Sequence, residues 1–107
     1  MPGSPVDDPI LSRFRAALVE LYGERLERVV LFGSRARGDA REDSDYDIAV
    51  FIKDLGPFWR EVDGLVDVET DLLYDTGAVI NSMPYRADAY QDRTSLMREI
   101  RREGVDL

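Results

Sequence analysis

The stretch LFGSRARGDAREDSDYDIAV, Leu31 to Val50, decides how this chain is read. An apolar lead-in reaches Gly33-Ser34, a charged segment follows, and Asp45 and Asp47 then flank Tyr46 before the chain turns apolar again. Glycine directly after a buried strand lets the backbone turn tightly and leaves room for a ligand to approach. If a helical turn starts at Ser34, its free N–H groups and positive dipole end favour an anion, and the hydroxyl is able to contact a phosphate oxygen. Taken alone, Gly-Ser after a strand is more often a simple turn.

The aspartates add a second signal. Alternate residues of a strand point the same way, with Cα atoms about 6.5–7 Å apart. Asp45 and Asp47 are therefore placed to share one or two cations, and like charges this close repel without one. Hard oxygen ligands suit Mg²⁺, above all when substrate phosphates complete its shell. The plainer alternative for Asp-x-Asp is a solvated strand end. Ten residues separate Ser34 from Asp45, and antiparallel or mixed pairing brings both to one end of a sheet. Phosphate on the turn and Mg²⁺ on the carboxylates describe a nucleoside triphosphate site.

The bulk numbers agree with one small domain over residues 1–107. Of the 107 residues 44% are apolar and 34% charged, so a packed core is expected and disorder is not. No apolar run approaches the ~20 residues that cross a bilayer, so no membrane association is expected. MPGSPVDD lacks the regions of a signal peptide, and residues 1–7 are expected to be a flexible leader. Cysteine is absent, which excludes disulfides and thiolate metal sites and is compatible with a cytoplasmic location. The net charge of −8 argues against broad nucleic-acid binding. With no histidine and Lys53 as the only lysine, general base chemistry near neutral pH needs a carboxylate, that lysine or a metal-bound group.

Ile10, Leu11, Phe14, Leu18, Leu21 and Tyr22 recur at helical spacing and predict a helix over about 8–22, with Asp7 or Asp8 as cap, Pro9 in its first turn and Gly23 as stop. Val29 to Phe32 read as a buried strand, and YDIAVFI (46–52) as a second. In it Tyr46, Ile48, Val50 and Ile52 share the core face, and Asp45, Asp47, Ala49 and Phe51 the opposite one. Phe58 to about Leu73 is helical, with Trp59, Val62, Leu65 and Val66 expected in the core and a partner surface as the alternative. AVINSM (78–83) reads as a third strand, limited by Pro84. RADAYQDRTS is a polar connection, and Leu96, Met97 and Ile100 suggest a last short helix ending near Gly104. A short helix is also expected within 34–38. The fold class expected is α/β (α+β), with a mixed three- to four-stranded sheet packed against helices.

Gly33, Ser34, Ala36, Arg37 and Gly38, then Ser44, Asp45 and Asp47, resemble the signature of the DNA polymerase β-type nucleotidyltransferase superfamily. The match is nearest to its minimal nucleotidyltransferase (MNT) branch, whose small members are often encoded beside HEPN-domain proteins. The motif covers about a fifth of the chain, and the element order agrees across nearly all of it. The resemblance implies a small nucleotidyltransferase fold in which Gly33 and Ser34 hold the β- and γ-phosphates, Arg35, Arg37 and Ser44 assist nucleotide binding, and Asp45 and Asp47 are catalytic ligands of two Mg²⁺ ions. It further implies transfer of AMP from ATP to a tyrosine of a HEPN-domain toxin encoded nearby, with the small protein as antitoxin.

One feature departs from that pattern. The superfamily normally carries a third carboxylate on a later strand, and here Asn81 or Ser82 falls in the slot. Asp71 and Asp75 lie nearby in sequence and are expected to be solvated helix-end acids. The departure keeps a second class of function open, a catalytically weak module that neutralises a toxin by covering it. A small-molecule nucleotidyltransferase is a third reading, although such enzymes usually use a second domain for the acceptor. Arg98, Arg101 and Arg102 are expected at a solvated helix end, with an acidic partner as the alternative.

Overall fold

The computed structural model describes residues 7–107; all but the last residue of the expected 1–7 leader lies outside them. Helix α1 spans Pro9–Tyr22. It begins there because Asp8 Oδ1 accepts the Ile10 N–H at 2.8 Å and Pro9 presets the first turn. It ends at Gly23, whose φ of +56° carries the chain into a short 3-10 turn and then strand β1, Leu26–Phe32. A single helical turn, α2, follows at Ser34–Arg37. Strand β2 spans Tyr46–Ile52, helix α3 Phe58–Thr76, strand β3 Ile80–Arg86, helix α4 Ser95–Glu103, and a two-residue strand β4 Val105–Asp106.

The sheet order is β3-β2-β1-β4. β1 runs antiparallel to β2 and β4, and β2 runs parallel to β3. The parallel pair needs a crossover, and α3 supplies it. The sheet is mixed and four-stranded, and the fold is α+β as the sequence implies.

Two cores form, one on each face. Leu11, Phe14 and Leu18 of α1 and Leu65 and Leu72 of α3 pack on Val29, Leu31, Ile48, Val50 and Ile52. On the other face Met97 and Ile100 of α4 cover Val30, Ala49 and Phe51. The opposite face of β2, expected to be away from the core, is thus solvent-accessible only at its Asp45–Asp47 end. Each large apolar side chain buried this way contributes about 1.5–3 kcal/mol of transfer free energy.

Three sequence expectations change. β3 is not 78–83 but Ile80–Arg86 and runs through Pro84. It lies at the sheet edge, so one side of its backbone has no ladder to supply and the missing N–H of Pro84 is tolerated. The connection after it is not purely polar: Ala87–Gln91 form a 3-10 turn that seats Tyr90 edge-on against Phe51, ring centres 5.3 Å apart. The Trp59, Val62, Leu65, Val66 row is not one buried face, since Leu65 is 1% exposed but Trp59 75% and Val66 45%. The buried arc of α3 is centred instead on Glu61, Leu65 and Leu72.

Candidate active site

The site lies where β1 ends and β2 and β3 begin. Antiparallel register sets Phe32 opposite Asp47, so the turn that leaves β1 at Gly33 meets the carboxylate at the head of β2. Gly33 has φ +76°, and a Cβ there would stand 2.6 Å from Asp47 Oδ2. Only glycine allows both that backbone conformation and that approach. The Gly33 turn and the acidic pair, separate in sequence, are neighbours in space.

Parallel register then sets Asn81 beside Asp47 and Ser82 beside Ile48. Register partners share a face, so Asn81 joins the aspartates while Ser82 faces α3. There the Ser82 N–H and hydroxyl both donate to Glu69 Oε1, at 2.8 and 2.7 Å. Asn81 Nδ2 donates to Asp45 Oδ2 at 3.1 Å. Asn81, not Ser82, therefore lies on the face of the two aspartates. Asp71 is exposed on α3, and Asp75 pairs there with Arg13 at 2.8 Å. Among the described residues no three His, Cys, Asp or Glu side chains gather as a metal cage. Two carboxylates and an amide beside an open turn fit a hard divalent cation that takes its other ligands from water and phosphate oxygens.

The arginines of the motif have local work. Arg35 donates through Nε and Nη2 to the Ser44 carbonyl at 2.9 and 2.7 Å, and through Nη2 to the Glu42 carbonyl at 3.1 Å. Its guanidinium lies 4.0 Å from the centre of the Tyr46 ring. Arg35 thereby ties the loop before Asp45 to α2. The Tyr46 hydroxyl donates to Asp8 Oδ2 at 2.6 Å. Burial first, and that bond second, push the Tyr46 phenol up to about 12, with Arg35 opposing. Ser44 Oγ accepts the Arg41 N–H at 2.8 Å and closes the loop. Arg37 is held above its ordinary range by hydrogen bonds to Asp39 and Glu103. The arrangement directs Arg35 and Ser44 to positioning the acidic pair, and it leaves Gly33, Ser34, Asp45, Asp47 and Asn81 at the open end of the sheet. The Asn81 Nδ2 contact with Asp45 is the one that periodicity alone does not single out, because Asn81 and Ser82 differ by one residue of register.

A mixed sheet with carboxylates at the head of one strand and a glycine turn at the end of its neighbour is the arrangement that the resemblance to nucleotidyltransferases implies. The fold agrees: a crystallised toxin–antitoxin bound to AMP-PNP aligns over 87% of this chain and 68% of its own, TM-score 0.59 at 20% identity. A crystallised MntA-HpeT toxin–antitoxin variant aligns over 86% and 68%, TM-score 0.61 at 17% identity. Residues 18–107 match the family described as Polymerase beta, Nucleotidyltransferase, and the chain belongs to it. Two Methanocaldococcus jannaschii proteins that carry the provisional name protein adenylyltransferase are similar over nearly their whole length. One is 28% identical over 98 residues, covering 92% of this chain and 95% of the relative. The other is 32% identical over 100 residues, covering 92% and 94%.

Proposed function

We propose that the protein transfers AMP from ATP, with Mg²⁺, to a tyrosine of a HEPN-domain toxin encoded nearby, and so acts as its antitoxin. The observation that supports this reading is the close approach of the Gly33 turn to Asp47, where a Cβ would stand 2.6 Å from Oδ2, so that a turn suited to phosphate lies against the pair suited to Mg²⁺. The relatives' provisional name supports a protein acceptor, and the fold likeness to toxin–antitoxin structures is consistent with a toxin partner.

In this reading the Gly33 turn and the Ser34 hydroxyl hold the β- and γ-phosphates, and Asp45 and Asp47 hold the cations. Bound Mg²⁺ would lower the acceptor's pKa and neutralise charge on the leaving group. The acceptor oxygen forms a bond to the α-phosphorus, the bond from that phosphorus to the bridging oxygen breaks, pyrophosphate departs, and the phenolic proton passes to water. Arg35 keeps the aspartates in register with the turn by anchoring the 42–44 backbone.

One observation favours a second reading. Asn81 brings no charge to the third position, and its amide occupies a lone pair of Asp45. A protein that binds the toxin with little transfer is compatible with that. Incubation with labelled ATP, Mg²⁺ and the neighbouring gene's product separates the two. Label on a tyrosine of the partner supports transfer, whereas a tight complex without label supports the binding module.

A further inference from the structure

The solvent side of α3 carries a pattern that the catalytic end of the sheet does not use. Trp59, Val66 and Leu73 follow one another at seven-residue spacing and are 75%, 45% and 45% exposed. Residues seven apart lie nearly above one another on a helix, so these three form one apolar seam along its length. Beside it run Asp63, Asp67 and Asp71, each one turn after the last and all exposed.

This face is costly as it stands. Like charges four apart oppose the helix by a few tenths of a kcal/mol per pair. Among the described residues none of the three has a cationic partner within 4 Å, unlike Asp75, which pairs with Arg13. α3 as a whole holds six acidic residues and one basic residue. An apolar seam with an uncompensated acidic flank is complementary to a helix bearing an apolar seam with a basic flank. A second copy of this chain is the wrong occupant, because it would set one acidic face against another.

We infer that α3 is a docking surface for a partner helix with an apolar seam and Lys/Arg on its flank. The inference goes beyond the catalytic reading, since it requires neither metal nor nucleotide. The seam also runs towards the candidate site: α3 ends at Thr76, and the chain reaches Asn81 only five residues later.

Trp59 is the only tryptophan, which makes the test direct. A synthetic helix of about three heptads, with leucine at a and d and lysine at the flanking positions, is titrated into the whole protein while Trp59 emission is followed. The expected result is a blue shift, with binding weakened by salt. The Asp63→Asn/Asp67→Asn/Asp71→Asn variant should bind about tenfold more weakly. Val66→Ser, an exposed change that spares the core, should also weaken binding. An Asp45→Asn/Asp47→Asn variant should bind the peptide as the parent does, which keeps failure here distinct from failure of the transfer reading. No shift, equal binding of a glutamate-flanked peptide, or a blue shift with protein concentration alone would overturn the inference, the last by pointing to a second copy.

Discussion

Asn81 stands level with Asp47 in the parallel ladder and reaches past it to donate to Asp45 Oδ2 at 3.1 Å. A neutral amide thus stabilises one member of the acidic pair where a third carboxylate would repel it. The substitution Asn81→Asp should tighten Mg²⁺ binding by about tenfold or more, since an added anionic ligand strengthens a hard-cation site. Without metal the same variant should melt at a lower temperature. Calorimetric titration with Mg²⁺ and a nucleotide analogue checks this, and unchanged affinity would remove Asn81 from the site.

Gly33→Ala introduces a Cβ 2.6 Å from Asp47 Oδ2 at a φ of +76°. The strain costs about 1–3 kcal/mol, and Asp47 must move. Thermal melts should show the loss of stability, and ATP should no longer raise the melting temperature of the variant. Stabilisation by ATP equal to that of the parent would reject the turn as the phosphate site.

Glu61 is 8% exposed and is paired with Arg25 at 2.7 Å; Arg25 also donates to the Lys53 and Asp54 carbonyls at 3.3 and 3.1 Å. Arg25→Ala leaves that carboxylate buried without its partner. Because the Arg25 side chain is 40% exposed, the expected cost is below the full buried-pair range, about 2 kcal/mol. Glu61→Gln, which keeps the packing and needs no counter-charge, should cost less. Urea unfolding of both variants measures the difference, and equal losses would contradict the pairing argument.

Tyr22 and Tyr46 are each pushed up to about 12 from 10.0. For Tyr22 burial is the main cause and the Glu61 charge the next, and among the described residues its hydroxyl has no hydrogen-bond partner. The folded state therefore prefers both phenols neutral. Their contribution to stability is complete below pH 10 and is lost as the pH rises towards 12. Alkaline unfolding followed alongside tyrosinate absorbance should place ionisation and unfolding together. Ionisation of every tyrosine near pH 10 in a folded protein would contradict this.

Much of this was legible from residue spacing. Asp8, Pro9 and Gly23 bracket α1 by local chemistry, and the Gly33-Ser34 and Asp45-x-Asp47 pattern marks the candidate site because one glycine turn and one strand head are enough to bring its residues together. The third position was not legible, since a single residue of register moves Asn81 or Ser82 to the opposite face. Pro84 hid the length of β3 because edge position, which excuses a missing N–H, is a property of the whole sheet. Trp59 and Val66 looked like core because an apolar period does not reveal which arc of a helix is covered. The guanidinium of Arg35 pointed to phosphate in sequence, whereas the nearby Glu42 and Ser44 carbonyls claim it in the fold.

The proposed transfer depends on Asp45 and Asp47 acting beside the Gly33 turn, and the double substitution Asp45→Asn/Asp47→Asn tests it. With labelled ATP, Mg²⁺ and the neighbouring gene's product, the variant should keep the parent's melting temperature or exceed it, because a like-charge pair is gone, while Mg²⁺-dependent label on the partner disappears. Transfer at the parent's rate by that folded variant would contradict it.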